Sequence, residues 1–344
     1  NKTGVQEGLD YGVVISKGCL DINVDRYRGS SLRHLSTIGG SQGISRHISV
    51  TRCRGFNLTD AGIDAHSAVH EHTFAQNFLH FNDDVDTTMD GIVSQGTAPI
   101  ITDNHVYNCK RHGVFWQPET LVAFTGPVSA IIGKNRLDQQ RNTGSTSAVI
   151  VTTPSSGTGV TRITALNIDD IQARGFSNLV QLQANVSEIN NVSIVTPKCL
   201  GPMRSRSIYA SAAGADINGL SIIGGHHETD DITTNPVIDL VGTGSYRVRN
   251  WRVTDTHLKR GTSGTIGLRL ILTDTGVETG ITTDNVTTKY SVDSSSTGVV
   301  LDWRRASMVT VTNATYTVLP QDYTVIANRA GTVTMTLPGA SQYP

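Results

Sequence analysis

Six of the eleven histidines, His66, His70, His72, His80, His105 and His112, crowd into one short stretch of this 344-residue chain, among Asp64, Glu71, Asp83, Asp84, Asp86, Asp90, Asp103, Lys110 and Arg111. Uniform scatter would put one or two there. Imidazole titrates near neutrality, and with carboxylates beside it the stretch holds the groups that proton transfer needs. In Gly62-Ile63-Asp64-Ala65-His66, strand alternation turns Ile63 and Ala65 inward and sends Asp64 and His66 outward together. The runs starting at Gly91 and Gly113 put Val93 with Gln95, and Phe115 with Gln117, at the same outward positions. Asp90 and His112 each stand just before the glycine. If the three runs stack, Asp64, His66, Asp90 and His112 share one patch about 10 Å long and form the expected catalytic set. His72, Lys110, Arg111, Phe115, Trp116 and Gln117 are the expected substrate-binding residues around it.

Each residue also has a plainer role. A histidine or aspartate at a turn is most often a hydrogen-bonded turn residue, and Trp116 falls on an inward position that suits core filling as well as stacking on a sugar. Density lifts the cluster above that reading: acid, imidazole and cation recur at matched positions of consecutive runs. Two chemistries fit. In elimination from a uronic acid, His66 oriented by Asp64, or His112, takes the proton beside the carboxylate, and Arg111 or Lys110 stabilises the charge that builds there. In hydrolysis two carboxyl groups flank the bond, with Asp64 and Asp90 the first pair and Asp83, Asp84, Asp86 and Glu119 in reserve. Histidine richness and the Lys110-Arg111-His112 run favour elimination.

The elements that position these groups repeat along the chain. Strand-like runs end on Asn77, Asn104, Asn135, Asn167, Asn191, Asn218, Asn250, Asn285 and Asn313, in steps of 24 to 35 residues. A second apolar run follows each one, starting at Gly62, Gly91, Gly113, Ala148, Leu179, Ser207, Val237, Gly267 and Gly298. A coil of that length with two or three short strands cannot bury its inward face alone, so successive coils must stack. The spacing predicts an all-β, right-handed parallel β-helix of about nine or more coils, with an asparagine ladder at one bend. Residues 1–46 are expected as N-terminal coils or a cap and 47–308 as the shaft with the glycan site. The alternating tail 309–344 reads as short antiparallel strands in a small C-terminal capping or trimerisation module.

Composition agrees. Glycine is abundant at 34, charged residues make up only 17%, and Val, Ile, Thr and Asn recur where long helices would need Ala, Leu, Glu and Lys. A net charge of -1 supplies no field for nucleic acid, and no run approaches the ~20 apolar residues that cross a bilayer. Cys19, Cys53, Cys109 and Cys199 lie far apart and read as buried reduced thiols. No cofactor is expected. Asp83-Asp84-Val85-Asp86 with Asp90 could hold calcium, but the spacing fits no calcium loop and a solvated turn is the better reading. His226-His227-Glu228 lacks a wider ligand pattern and reads as a loop.

The run Gly62 to Asn77, GIDAHSAVHEHTFAQN, followed by MDGIVSQG and KRHGVFWQP, resembles coils of the pectate-lyase-like β-helices of bacteriophage tailspikes and capsule depolymerases. The segment Thr315 to Pro338 is similar to a β-strand module near the C-terminus of phage tail fibres and spikes. The resemblance implies a homotrimer on the virion tail that binds or cleaves bacterial surface polysaccharide. It also implies other phage tail proteins as partners, through an N-terminal attachment region preceding Asn1. The alternative it leaves open is a non-catalytic receptor-binding tail protein with the same fold.

Overall fold

The computed structural model describes residues 11–301, apart from position 17 and segments 40–42, 83–89, 120–127, 140–145, 155–161 and 231–234, together with four short strands between 308 and 336. Among the described residues there is no helix, and every strand pairing is parallel. Each coil lays one strand on each of three faces in turn. The first face carries Tyr11–Ile15, His34–Ile38, Ile63–Ala65, Ile92–Ser94, Val114–Trp116, Ser147–Thr152 and their successors. The second is an eleven-stranded sheet from Asn23–Asp25 to Thr297–Val300. The third runs from Arg28–Ser30 through Arg54–Leu58, Phe78–Phe81 and His105–Tyr107 to Lys198–Cys199 and His226–Thr229. First and third faces merge where the single long strand His257–Ile271 crosses from one to the other, pairing Glu228 with Lys259 and Ile238 with Leu268.

Register explains the sequence repeat. Ile63, Ile92, Val114, Val149, Val180, Ile208, Ile238 and Leu268 stand in one column of the first face. Eight of the nine apolar runs therefore superpose as expected. The ninth does not: Val299 pairs with Gly276 on the second face, because Thr282–Val292 already fills the first-face position. Inward columns on the other faces read Val50, Phe74, Ile101, Ile132, Ile168 and Leu79, Val106, Leu137, Ala173, all fully buried. Each of these side chains larger than alanine contributes roughly 1.5–3 kcal/mol of transfer free energy, which only stacking secures for so short a strand.

The asparagine ladder exists but is shorter than the spacing predicted. Asn77, Asn104 and Asn135 are buried at one corner of consecutive coils. The Asn77 amide donates to Asn104 Oδ1 at 3.0 Å and the Asn104 amide to Asn135 Oδ1 at 3.0 Å. Their second amide hydrogens go to the carbonyls of Val50, Phe74 and Ile101. The file stops because Ile171 occupies the corner of the next coil. Asn167 instead faces outward in mid-strand opposite Ser193, Asn218 opposes Asn190, and Asn285 lies inside Thr282–Val292. Asn313 lies outside the described residues. The common period made separate asparagine positions look like one column.

Two further expectations are corrected. His226–Thr229 is a strand of the third face, where His227 points inward and bonds Ser207 Oγ at 2.8 Å; it is no loop. The tail strands are parallel, Met308–Val311 with Thr324–Ala327 and Thr315–Thr317 with Thr334–Thr336. Alternate strands pair, as in a coil, whereas a hairpin would pair neighbours antiparallel. Cys53, Cys109 and Cys199 are buried thiols as expected, whereas Cys19 is only half-buried.

Replacing Asn104 by Ala should cost about 3 kcal/mol, since it strands the buried polar groups of Asn77, Phe74 and Asn135. Asn167→Ala, at an exposed position, should stay within about 0.5 kcal/mol of wild type. Urea unfolding of the two variants side by side checks the difference.

Candidate functional site

The corner that leads onto the first face carries Arg33-His34, Asp60-Ala61, Asp90 and Arg111-His112 at matched places of four consecutive coils, at the entry to the strand. Three of the coils pass through glycine here because backbones approach closely. A Cβ on Gly62 would lie 2.7 Å from the Gly91 carbonyl oxygen, and one on Gly113 would lie 2.6 Å from that of Ala148. The outward column that follows holds Asp64, Val93 and Phe115, which pair in register, with His66, Gln95 and Gln117 two residues on. Corner and column together enclose an open groove of about 380 Å³.

Of the residues expected from sequence, Asp64, His66, Asp90, Arg111, Phe115 and Gln117 line this groove. His112, Lys110, Trp116 and His72 do not. Trp116 is fully buried, with its indole N–H donating to the Gly96 carbonyl at 3.0 Å, so it offers no face to a sugar. His72 is fully buried against Phe74, and its Nε2 lies 2.9 Å from Ser94 Oγ. Lys110 is buried at 5% exposure. His112 lies beneath the groove and accepts the Ser147 backbone N–H at Nδ1, 3.1 Å away. That bond occupies the one basic nitrogen of a neutral ring, so His112 is removed as a base. Asp83, Asp84 and Asp86 lie outside the described residues.

Sequence reasoning missed Arg33, His34 and Asp60, which also line the groove. The signal was present: Arg33-His34 stands before Leu35 as Arg111-His112 does before Gly113. Leu35, however, takes the place that glycine fills in the next three coils and breaks the visible pattern.

The carboxyl groups sit in three different surroundings. Asp90 is almost fully enclosed. It accepts both nitrogens of the Arg111 fork, Nε at 2.8 Å, and the His112 backbone N–H at 3.0 Å. Asp60 is half-exposed and bonds Arg33 Nε at 2.9 Å and the Ala61 N–H at 2.9 Å. Asp64 has no arginine. Its Oδ2 is 3.3 Å from His66 Nε2, its side chain is 16% exposed, and His66 is 46% exposed. Burial pushes the Asp64 carboxyl above the usual carboxylate range; nearby Asp60 and Asp90 add to the rise while His66 and His34 oppose it. His34 is buried with Nδ1 2.7 Å from the Ala61 carbonyl, which can only accept, so Nδ1 carries the proton. The arrangement is an enclosed carboxyl of raised proton affinity beside an exposed imidazole, flanked by two carboxylates each tied to an arginine.

No protein-family model and no curated protein matches the sequence. Among solved structures, the chain is similar to the A-module of the mannuronan C-5 epimerase AlgE6 of Azotobacter vinelandii, at 15% identity and a TM-score of 0.53, covering 84% of this chain and 80% of that one. It is similar to the A-module of AlgE4 from the same organism, at 13% identity and a TM-score of 0.50, covering 87% of each. It also resembles the family 28 exopolygalacturonase of Yersinia enterocolitica, at 12% identity and a TM-score of 0.54, covering 78% of this chain but 47% of that one. These likenesses establish the parallel β-solenoid fold, and the neighbours' names place polysaccharide-modifying and polysaccharide-degrading proteins around it.

Burial holds four histidines below the ordinary value of 6.5: His70, His72 at about 3, and His112 and His227 at about 4. Each is neutral when folded and protonated when unfolded between 6.5 and its folded value. The stability they contribute is present above pH 6.5 and is lost as the pH falls through that window. His112→Asn, whose Oδ1 can accept the Ser147 N–H, should flatten the slope of unfolding free energy against pH between 6 and 4.5 by about one proton. Denaturant unfolding across that range reads the slope directly.

Proposed function

We propose that this chain cleaves bacterial surface polysaccharide (capsule, exopolysaccharide or O-antigen) in the groove around Asp64, as a phage tailspike depolymerase. The observation that carries the cleavage reading is the separation of environments: Asp64 is enclosed beside His66 with its proton affinity raised by burial, while Asp60 and Asp90 are paired with arginines. Carboxyl groups held apart in this way mark acid and base roles. In hydrolysis Asp64 protonates the glycosidic oxygen as the bond breaks, and Asp60 accepts a proton from the attacking water or stabilises the positive charge on the sugar ring. Asp90 is enclosed by Arg111 and positions the corner. His66 orients the Asp64 carboxyl and returns its proton between turnovers.

One observation favours elimination as the second reading. His66 is the exposed imidazole of the groove, and Arg33 and Arg111 stand on the same corner to meet a substrate carboxylate. Hydrolysis is preferred, because His112 is no longer available as a base and both guanidinium groups already bind carboxylates. The tailspike role, with a homotrimer on the virion tail attached through other tail proteins, is supported by the sequence resemblance of Thr315 to Pro338. Outward apolar side chains such as Ile100, Ile131 and Val300, 40–47% exposed, would suit a partner surface.

The test is incubation of the purified chain with capsular, exopolysaccharide and O-antigen preparations, following new reducing ends and ultraviolet absorbance of unsaturated uronate together. Reducing ends without absorbance, falling roughly 10²–10⁴-fold in Asp64→Asn, are expected. Absorbance that rises with the reducing ends and depends on His66 would establish elimination. Tight glycan binding without cleavage would replace the enzyme by a receptor-binding protein.

A further inference from the structure

The third face carries a second chemistry that the groove does not use. Its outward column runs in register from Arg28 through Arg54, Phe78, His105 and Arg136 to Lys198, with Gln172 between the last two and no carboxylate anywhere. At ~4.8 Å per coil it is about 29 Å long. Arg28 and Arg54 are exposed, and neither has a carboxylate partner among the described residues. The adjoining column adds Phe56, His80, Tyr107 and Arg174. Its one acid, Asp138, is enclosed and shared by His105 at 3.3 Å, Arg136 at 3.2 Å and Arg174 at 3.1 Å, so cations remain in excess. Between the two cationic ends lies an aromatic section. Phe56 and Phe78 have ring centres 5.6 Å apart, Phe78 and His105 5.2 Å, and His80 stacks on Tyr107 at 5.0 Å. Phe56 is 38% exposed.

We infer that this strip is a second glycan-binding surface, separate from the groove, that takes an acidic polysaccharide lying along the solenoid axis. A uronate-bearing chain offers both groups the strip would meet: a carboxylate for guanidinium forks and an apolar C–H face for phenyl rings. The coil spacing is close to the length of one hexose residue, so successive sugars can meet successive coils. None of the strip residues lines the groove. Strand Arg54–Leu58 leads directly to Asp60, so polymer held on the strip lies beside the reacting corner and stays attached between cleavages.

Affinity electrophoresis in gels containing polygalacturonate, normalised to gels without it and with neutral dextran as control, tests the inference. Wild type and Asp64→Asn should be retarded alike by polygalacturonate and not by dextran. The double variant Arg28→Glu/Arg54→Glu, at exposed positions without carboxylate partners, should bind about tenfold more weakly. Arg28→Lys/Arg54→Lys should keep most of the retardation, with an unchanged thermal midpoint showing that each variant is folded. The strip is overturned if wild type is not retarded, if the glutamate variant is retarded as strongly as wild type, or if Asp64→Asn alone abolishes retardation. It is also overturned if charge reversal changes sedimentation and leaves affinity alone, since the face would then be a protein interface. A chain that is retarded yet cleaves nothing would sink the depolymerase reading and leave the strip standing.

Discussion

The spacing of parallel strands, ~4.8 Å along the stack, is the constraint on which everything else in this protein depends. A three-residue strand such as Ile63–Ala65 has no independent stability, and its inward Ile63 and Ala65 are buried only because Ser36–Ile38 lies above it and Ile92–Ser94 below. The same spacing makes each outward column a ruler. Groups at matched places in neighbouring coils stand a few ångströms apart, whatever their separation in sequence. That is how Asp60, Asp64 and Asp90, from two coils, reach one another's fields.

Bends are where such a stack loses backbone hydrogen bonds, and the chain answers with buried polar side chains. Asn77 and Asn104 each donate once to the asparagine of the next coil and once to a backbone carbonyl, and Asn135, last in the row, accepts from Asn104 and donates to the Ile101 carbonyl. Histidine does the same service where it is neutral: His112 accepts from Ser147, and His227 bonds Ser207. Their neutrality follows from burial, which penalises the charged ring. The rings that hold the solenoid together in this way are therefore poor bases, and the imidazole that the fold leaves exposed beside Asp64 is His66.

Charge is sorted by face. On the groove corner each arginine is committed to a carboxylate, Arg33 to Asp60 and Arg111 to Asp90, so Asp64 is the carboxyl there without one. Enclosure, with like charge nearby, raises its affinity for a proton. On the third face cations outnumber acids along a line of rings, Phe56 exposed and the others half-buried. In the proposed reading one face cleaves and the other retains the polymer, and the difference follows from which residues occupy outward positions of the same repeat.

Strand alternation and repeat length determined the fold class, the first-face columns and the placing of Asp64, His66, Asp90, Arg111, Phe115 and Gln117 around one groove. Those features depend only on periods of two and of one coil, which a sequence displays directly. Depth, partners and register drift needed the tertiary structure. Trp116 and His72 look like ligand contacts until neighbouring coils cover them, and Arg33, His34 and Asp60 join the groove through a coil that lacks the glycine marking the others. Asn167, Asn218 and Gly298 fall off their expected columns because loop lengths vary from coil to coil, so a shared period does not guarantee a shared position. The raised proton affinity of Asp64 lay furthest from the sequence, since it depends on enclosure and on charges brought from other coils, neither of which is a local property of the chain.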